Sequence, residues 1–228
     1  IQVSMLYRRY ERNFHSFYGA AFGESTRAIN ESGMYWGIKY QPSKYWILTA
    51  YYDNFRFPWL RFRTDAPSDG YEFLARLTHK PKRSISMYAQ IRQEVKDLNW
   101  TSEDEQINQV LPFVRRQYQA RIDFFADKVV FLRSRVQFST FNHGGKTTQG
   151  YLIAQDANFD LGKVRLSTRF SLFQTDDFDN RQYLYEKDVL YVFSIPFFSG
   201  GPGFRNYYVL QLKPHKKIDI WVKYAFTK

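Results

Sequence analysis

The chain contains no cysteine, and no run of eighteen apolar residues occurs in its 228 positions. The absence of cysteine argues against a disulfide-stapled secreted domain and excludes thiol redox chemistry and metal-thiolate sites, while it is compatible with folding in a periplasm. The absence of a long apolar run excludes a transmembrane helix. Because mean hydropathy is −0.53, any lipid contact must come from alternate residues of strands.

Histidine is also scarce, and its four copies lie in predicted loops or beside predicted short turns: His15, His79, His143 and His215. None stands in a context that pairs a nucleophile with a base and an orienting group. We therefore expect no enzyme, no catalytic residue, no metal site and no cofactor. Three loop carboxylates could bind a divalent cation but are expected to form a solvated loop: Glu103, Asp104 and Glu105.

What the chain has is strict alternation of apolar and polar residues. In the clearest segment, 163–173, Val164, Leu166 and Phe170 fall on one side, and Arg165 and Arg169 fall on the other. This two-residue period is that of a β-strand. The pattern recurs at 84–94, 117–124, 130–138 and 217–224. One side of each segment suits lipid and the other suits water, with arginine recurring on the second.

About twelve strands are predicted, many of them long enough to cross a bilayer, which takes ~9–11 residues. They lie near 1–10, 33–41, 45–55, 70–79, 84–96, 113–125, 128–141, 149–160, 163–175, 183–195, 204–213 and 217–227. Short turns alternate with long loops, as in a bacterial outer-membrane barrel. The alternation of short turns with long loops fails between 176 and 203. Either 183–195 is not a simple strand, or 194–203 forms an unusual turn.

Aromatic residues make up 20% of the chain, and many lie near the predicted strand ends, as in the aromatic girdles of outer-membrane barrels. The net charge of +11 would ordinarily suggest nucleic acid or an anionic surface as partner. The basic residues cluster in short turns and on the predicted inward side, where they can pair with Glu72, Glu94, Asp123 or Asp156. We favour such structural pairing over the alternative, a lumen that attracts anions.

Two phrases of the sequence are distinctive: NESGMYWGI at 30–38 and AYYDNFRFPWLRFRTDAPSDGYEF at 50–73. With a weaker continuation at 176–196, they resemble the carboxyl-terminal barrel portion of large Bacteroidota-type outer-membrane proteins that often carry helix-hairpin-helix segments upstream. The resemblance covers half of the chain and implies a location and a fold rather than an activity. The helix-hairpin-helix segments are not among these residues, so no DNA-related role is carried over.

We therefore predict one all-β domain, 1–228, forming an antiparallel transmembrane β-barrel of about twelve strands in a bacterial outer membrane. The complete protein is expected to extend beyond one or both ends and to contain more strands. The predicted function is a pore, a transporter or a component of an outer-membrane assembly. Its expected partners are outer-membrane lipid, lipopolysaccharide and other outer-membrane or periplasmic proteins, without nucleic acid. The predicted lumen residues are Arg92, Glu94, Arg121, Asp123, Arg133, Arg135, Arg165 and Arg169.

The segment 55–70 is the most distinctive predicted loop, because it mixes aromatic residues, arginines and two prolines. One interpretation is a plug or contact loop that stacks on sugars or pairs with phosphate, including that of lipopolysaccharide. The other is an aromatic girdle that continues into a rigid surface loop. Its candidate contact or constriction residues are Arg56, Trp59, Arg61, Arg63 and Asp65.

Two other classes of protein fit parts of the pattern. A soluble β-barrel or sandwich that binds an anionic or hydrophobic ligand would turn its aliphatic side inward and leave its arginines in water. A membrane-anchored nucleic-acid-handling protein would account for the net charge, and it would bind DNA with a steep salt dependence. Extraction from cells without detergent would identify the first class.

Overall fold

The computed structural model of the chain describes residues 1–15, 21–101 and 108–228. These ranges form no helix, and therefore none long and apolar enough to cross a membrane. The strands are β1 (Gln2–Tyr10), β2 (Glu31–Tyr40), β3 (Trp46–Phe57), β4 (Ser68–Lys82), β5 (Ile85–Trp100), β6 (Gln109–Phe125), β7 (Val130–His143), β8 (Lys146–Asp160), β9 (Val164–Thr175), β10 (Gln182–Tyr183), β11 (Phe197–Phe198), β12 (Gly201–His215) and β13 (Ile218–Thr227).

Eleven of these strands form one antiparallel sheet in sequence order, with β9 paired to β12. The two-residue strands β10 and β11 pair separately. The predicted all-β antiparallel architecture is confirmed, but the sheet is open rather than closed into a barrel, and β1 and β13 are its edges. The count of about twelve sheet strands is wrong by one, because 183–195 is not a strand of the sheet.

The connections define two ends of the sheet. Short turns at 41–45, 83–84, 126–129, 161–163 and 216–217 mark the short-turn end. The connections from β1 to β2, β3 to β4, β5 to β6 and β9 to β12 leave from the opposite end, the long-loop end, which also carries one tight turn between β7 and β8. Gly144 and Gly145 form that turn with φ of 58° and 80°, the positive values that two-residue hairpins favour. The predicted seven-residue gap between strands at 141 and 149 is thus absent.

The strand register sorts side chains onto two opposite faces, because directly paired residues share a face. One row across eight consecutive strands is entirely apolar: Leu48, Leu77, Ala89, Ala120, Val136, Ile153, Leu172 and Phe204. A row of paired residues on the other face is polar apart from the aromatic ring of Tyr207. Its members are Ser86, Asp123, Arg133, Asp156, Arg169 and Tyr207. We call these two sides the apolar face and the polar face.

The connection between β9 and β12 folds over the polar face, and we call residues 176–200 the internal hairpin. Its two arms pair through β10 and β11 and through a bridge between Glu186 and Ser194. Leu184 and Phe198 of the hairpin pack on apolar residues of β8 and β9 and form a buried hydrophobic cluster with them. The other members are Leu152, Ala154 and Phe173.

Candidate functional site

The candidate site is the polar face beneath the internal hairpin. All eight predicted lumen residues project from this face, because each belongs to the polar row or lies an even number of residues from a member of it along the same strand. They are Arg92, Glu94, Arg121, Asp123, Arg133, Arg135, Arg165 and Arg169. They come from β5, β6, β7 and β9. The structure thus brings them onto one surface, although the open sheet does not enclose that surface as a lumen.

Three glutamates meet near the long-loop end of the polar face: Glu24, Glu72 and Glu94. One carboxylate oxygen of each lies within 4.8 Å of the others, a spacing that could hold a metal ion. Cations of the chain neutralise the group instead. Lys96 Nζ lies 2.7 Å from Glu24 and 2.5 Å from Glu94, while Arg92 pairs with Glu72.

Glu24 belongs to the connection between β1 and β2 rather than to a strand. Burial raises the pKa of its carboxyl above the ordinary value, and the ammonium of Lys96 opposes that shift. Lys96 therefore fastens this connection to the polar face. Because each carboxylate already has a cationic partner, the group is a structural network rather than a vacant cation site.

Two aspartates organise the middle of the polar face. Asp123 accepts two hydrogen bonds from Arg133, at 2.7 and 3.2 Å, and lies 3.1 Å from Arg121. Asp156 pairs with Arg169 through both of its carboxylate oxygens, and this pair is buried. The predicted pairing of arginines of this face with Asp123 and Asp156 is confirmed. Such two-point guanidinium–carboxylate contacts fix orientation as well as charge.

Arg135 departs from that pattern. It lies directly opposite Arg121 in the β6–β7 register, so two like charges face each other. Among the residues that the structure describes, no carboxylate pairs with Arg135 and no side-chain hydrogen bond reaches it. Arg76, which also projects from the polar face, donates to the neutral Gln90. The polar face therefore carries cationic charge that its own carboxylates do not neutralise.

Ion pairs also hold the internal hairpin on this face. Glu186 is fully buried and accepts hydrogen bonds from Arg205 at 2.6 and 2.9 Å, with Lys223 Nζ at 3.5 Å. Asp188 lies 2.6 Å from the same Lys223. Arg169 donates to the backbone carbonyl of Tyr185 at 2.7 Å. The hairpin is thus clamped to β9, β12 and β13 by charge as well as by apolar packing.

The predicted contact loop lies at the long-loop end. Arg61 donates to the carbonyl of Asp97 in β5, and its guanidinium lies 4.6 Å from the centre of the Phe57 ring. Asp65 accepts hydrogen bonds from Asn99 at 2.7 Å and from Asn108 at 3.1 Å. These contacts tie the loop to the ends of β3, β5 and β6, as expected for a rigid surface loop.

The other three predicted contact residues are exposed, and Arg56 lies in β3 rather than in a loop. Trp59 is half exposed, with Arg12 over its ring, and Arg56 faces Asp69 across 3.5 Å in a solvated pair. Arg63 Nη1 lies 3.5 Å from Asp179, which belongs to the internal hairpin. Arg63 therefore connects the contact loop to the segment that covers the polar face.

Sequence reasoning missed several members of the site. Arg8, Arg115 and Arg205 share the parity of the polar face, and the alternation around each of them could have identified them. Arg8 is the most buried of the three and binds Glu31 at 2.5 Å and Asp53 at 2.7 Å. The hairpin residues also alternate, but that alternation predicts a strand of the sheet and does not reveal that the segment crosses the polar face. The carboxylates predicted to form a solvated loop, Glu103, Asp104 and Glu105, lie outside the described residues.

Neither a comparison with protein-family models nor one with curated proteins finds a match to this chain. The arguments about function therefore depend on the geometry of the two faces and of the hairpin.

Proposed function

We propose that the chain is the membrane-embedded wall of a bacterial outer-membrane β-barrel, with the apolar face toward lipid and the polar face toward the interior. The internal hairpin would then lie inside the barrel and narrow it. A pore or transporter with a restricted, arginine-rich interior is the function that this arrangement supports best. Lipid and lipopolysaccharide would contact the outer surface. The resemblance to Bacteroidota-type outer-membrane barrels agrees with this proposal.

The observation that carries the proposal is the polarity of the two faces. In a soluble sheet protein the aliphatic face is covered and the charged face is solvated. Here Ile122, Val136 and Ile153 remain 49%, 50% and 47% exposed, whereas Asp123, Asp156 and Arg169 of the polar face are buried. A continuous exposed apolar surface of this kind is typical of a lipid-facing wall.

Strand length and aromatic placement support the same proposal. The shortest strand of the sheet, β1, has 9 residues and the longest, β6, has 17, against the ~9–11 that a tilted strand needs to cross a bilayer. Exposed aromatic side chains of the apolar face lie near the short-turn end, namely Trp46 and Phe124. Others lie in the contact loop at the opposite end, as two girdles require.

The direct test is the behaviour of the purified chain in detergent. We expect it to need detergent for solubility, to migrate differently on a gel before and after boiling, and to give small discrete conductance steps in a planar bilayer. The steps should be small because the hairpin occupies part of the interior. A chain that stays soluble and monodisperse without detergent would overturn the proposal in favour of a soluble sheet protein.

A lysine at the centre of the apolar face is expected to distinguish lipid from water as its surroundings. Val136 is the seventh residue of β7, midway between the two ends. The substitution Val136→Lys should destabilise the chain by about 2–4 kcal/mol if the face lies in a bilayer. The same substitution should change the free energy of unfolding by no more than about 0.5 kcal/mol if the half-exposed side chain faces water. Equilibrium unfolding in urea, from lipid vesicles, measures the difference.

A matched control is Lys146→Gln beside the tight turn between β7 and β8, which changes one charge outside the apolar face. We expect this variant to unfold like the parent. An equally small effect of both substitutions would contradict the membrane proposal.

A further inference from the structure

A cavity of about 300 Å³ lies between the internal hairpin and the polar face, close to the short-turn end. Its walls come from three neighbouring strands of the sheet and from the hairpin that folds over them. Arg165 and Ser167 belong to β9, Gln211 to β12, Trp221 to β13 and Lys187 to the hairpin. This cavity lies well away from the glutamate network and the contact loop, both at the opposite end of the sheet.

The two cations of the cavity wall are weakly paired with carboxylates. Lys187 Nζ donates to Asn158 at 2.5 Å and to Ser167 at 3.1 Å, and both acceptors are neutral. Among the described residues, no carboxylate forms a salt bridge with Lys187. The nearby Arg165 has one partner, Asp160 at 2.8 Å, in a pair that is roughly half exposed and therefore weak.

The one carboxylate in the cavity wall is already engaged. Asp188 pairs with Lys223 Nζ at 2.6 Å and accepts a hydrogen bond from the Ser194 hydroxyl. Its charge is thus directed toward β13 and the other arm of the hairpin. Among the remaining polar residues of the wall, Arg165, Lys187 and Trp221 can only donate, whereas Ser167, Tyr185 and Gln211 can both donate and accept.

A further donor in this wall lacks an acceptor. The indole Nε1–H of Trp221 is buried, and within the described residues it has no hydrogen-bond partner. A buried donor without an acceptor is costly, and the great majority of such groups in folded proteins are satisfied. Trp221 lines the cavity, so an acceptor bound there from outside the chain could satisfy this donor.

We propose that this cavity is a binding site for a small soluble oxyanion, with inorganic phosphate as the representative ligand. Arg165 offers a planar pair of N–H donors, Lys187 offers an ammonium, and Trp221 offers one fixed N–H. Phosphate oxygens accept from all three donor types, and charge-assisted bonds of this kind are the strong ones. The cavity volume is sufficient for one phosphate or a small phosphate monoester.

The electrostatic surroundings of Lys187 agree with an anion site. Burial lowers the pKa of its ammonium, and Asp156 opposes that shift. Arg133 and Arg165 lower the pKa further by repulsion between like charges. A bound oxyanion would relieve the repulsion among these three cations. The site does not depend on membrane insertion, and so it goes beyond the proposed function.

Calorimetric titration of the folded full chain with sodium phosphate, at constant ionic strength set with sodium chloride, tests the site. We expect saturable binding of one phosphate per chain. Lys187→Gln should weaken phosphate binding about tenfold, because it removes an ionic donor. Trp221→Phe should weaken binding about two- to fivefold, because it removes one neutral donor without changing the charge.

Lys146→Gln is the matched control, since it removes one lysine charge at the far end of the sheet. We expect its phosphate affinity to equal that of the parent. If Lys187→Gln does not fold, Trp221→Phe provides the decisive comparison. The proposal is overturned if phosphate does not bind, if Lys187→Gln or Trp221→Phe keeps full affinity, or if Lys187→Gln and Lys146→Gln lose affinity equally.

Discussion

Replacing Glu186 with alanine is expected to release the internal hairpin from the polar face. Glu186 is fully buried, and its carboxylate joins Arg205 of β12 to Lys223 of β13. Removing one partner of a buried ion pair costs about 3–5 kcal/mol, because the other partner is left unpaired. Undocking of the hairpin would let water reach Arg205. We therefore expect the substitution to lower mainly the free energy of hairpin docking rather than that of global unfolding.

The absence of cysteine makes this change measurable with one introduced thiol. Leu184 is 1% exposed and packs in the buried core, so a cysteine at this position should react slowly with a maleimide. Combining Leu184→Cys with Glu186→Ala should raise the labelling rate about 100-fold, which corresponds to a docking loss of roughly 3 kcal/mol. The conductance steps should grow in the same variant.

Asp69→Asn is the matched control, because Asp69 pairs with Arg56 at the surface, where an ion pair contributes about 0–1 kcal/mol. Labelling of the introduced thiol should be unchanged in this background. Gly150→Leu provides an uncharged route to the same state. A Cβ at Gly150 would lie 3.0 Å from Asn180 O and from Gln182 Nε2, so a larger side chain displaces the hairpin. Parental labelling rates in both Glu186→Ala and Gly150→Leu would contradict the docking argument.

The second large effect is expected at Arg8. Its guanidinium binds Glu31 and Asp53, and the exposed fractions of all three side chains are 3% or less. Arg8→Leu would leave two carboxylates buried without their cation, for which we expect a loss of about 3–5 kcal/mol in the free energy of unfolding. Urea unfolding followed by tryptophan fluorescence gives this difference, provided that the slope with urea concentration is unchanged.

The neighbouring residue provides the control. Arg9 pairs with Glu11 across 2.8 Å, but both side chains are about two-thirds exposed, so Arg9→Leu should cost no more than about 1 kcal/mol. Adding Asp53→Asn to Arg8→Leu removes one of the unpaired carboxylates and should recover part of the lost stability. Equal effects of Arg8→Leu and Arg9→Leu would show that burial of the network contributes little.

Alternation predicts most of this fold because the two faces of a strand differ in polarity at every second residue. The predicted segment 163–175 and the observed β9 (Val164–Thr175) differ by one residue. The prediction of a sheet strand at 183–195 is wrong, although the segment does alternate. Leu184 and Glu186 are buried while Tyr183 and Tyr185 are exposed, so the period of two is real. It reflects an extended arm lying on the polar face rather than pairing within the sheet.

Much of the candidate site was also predictable, since parity alone places Arg133 and Arg169 on the same face as Asp123 and Asp156. Parity does not reveal which elements cross that face. The contacts of Lys187 depend on a fold-back that brings distant parts of the chain together, and no local pattern encodes such a contact. The open edges were equally hidden, because alternation describes each strand without stating whether the last pairs with the first.

The strand count sets a directional constraint on any closed form of this sheet. Directions alternate along the sheet, so β1 and β13 both run from the short-turn end to the long-loop end. A seam made directly between them would be parallel, unlike every other pairing in the sheet. An antiparallel seam takes an odd number of added strands, of which one, running the opposite way, is the smallest. Its outward side chains would have to match Val3 and Met5 along one margin and Val222 and Tyr224 along the other.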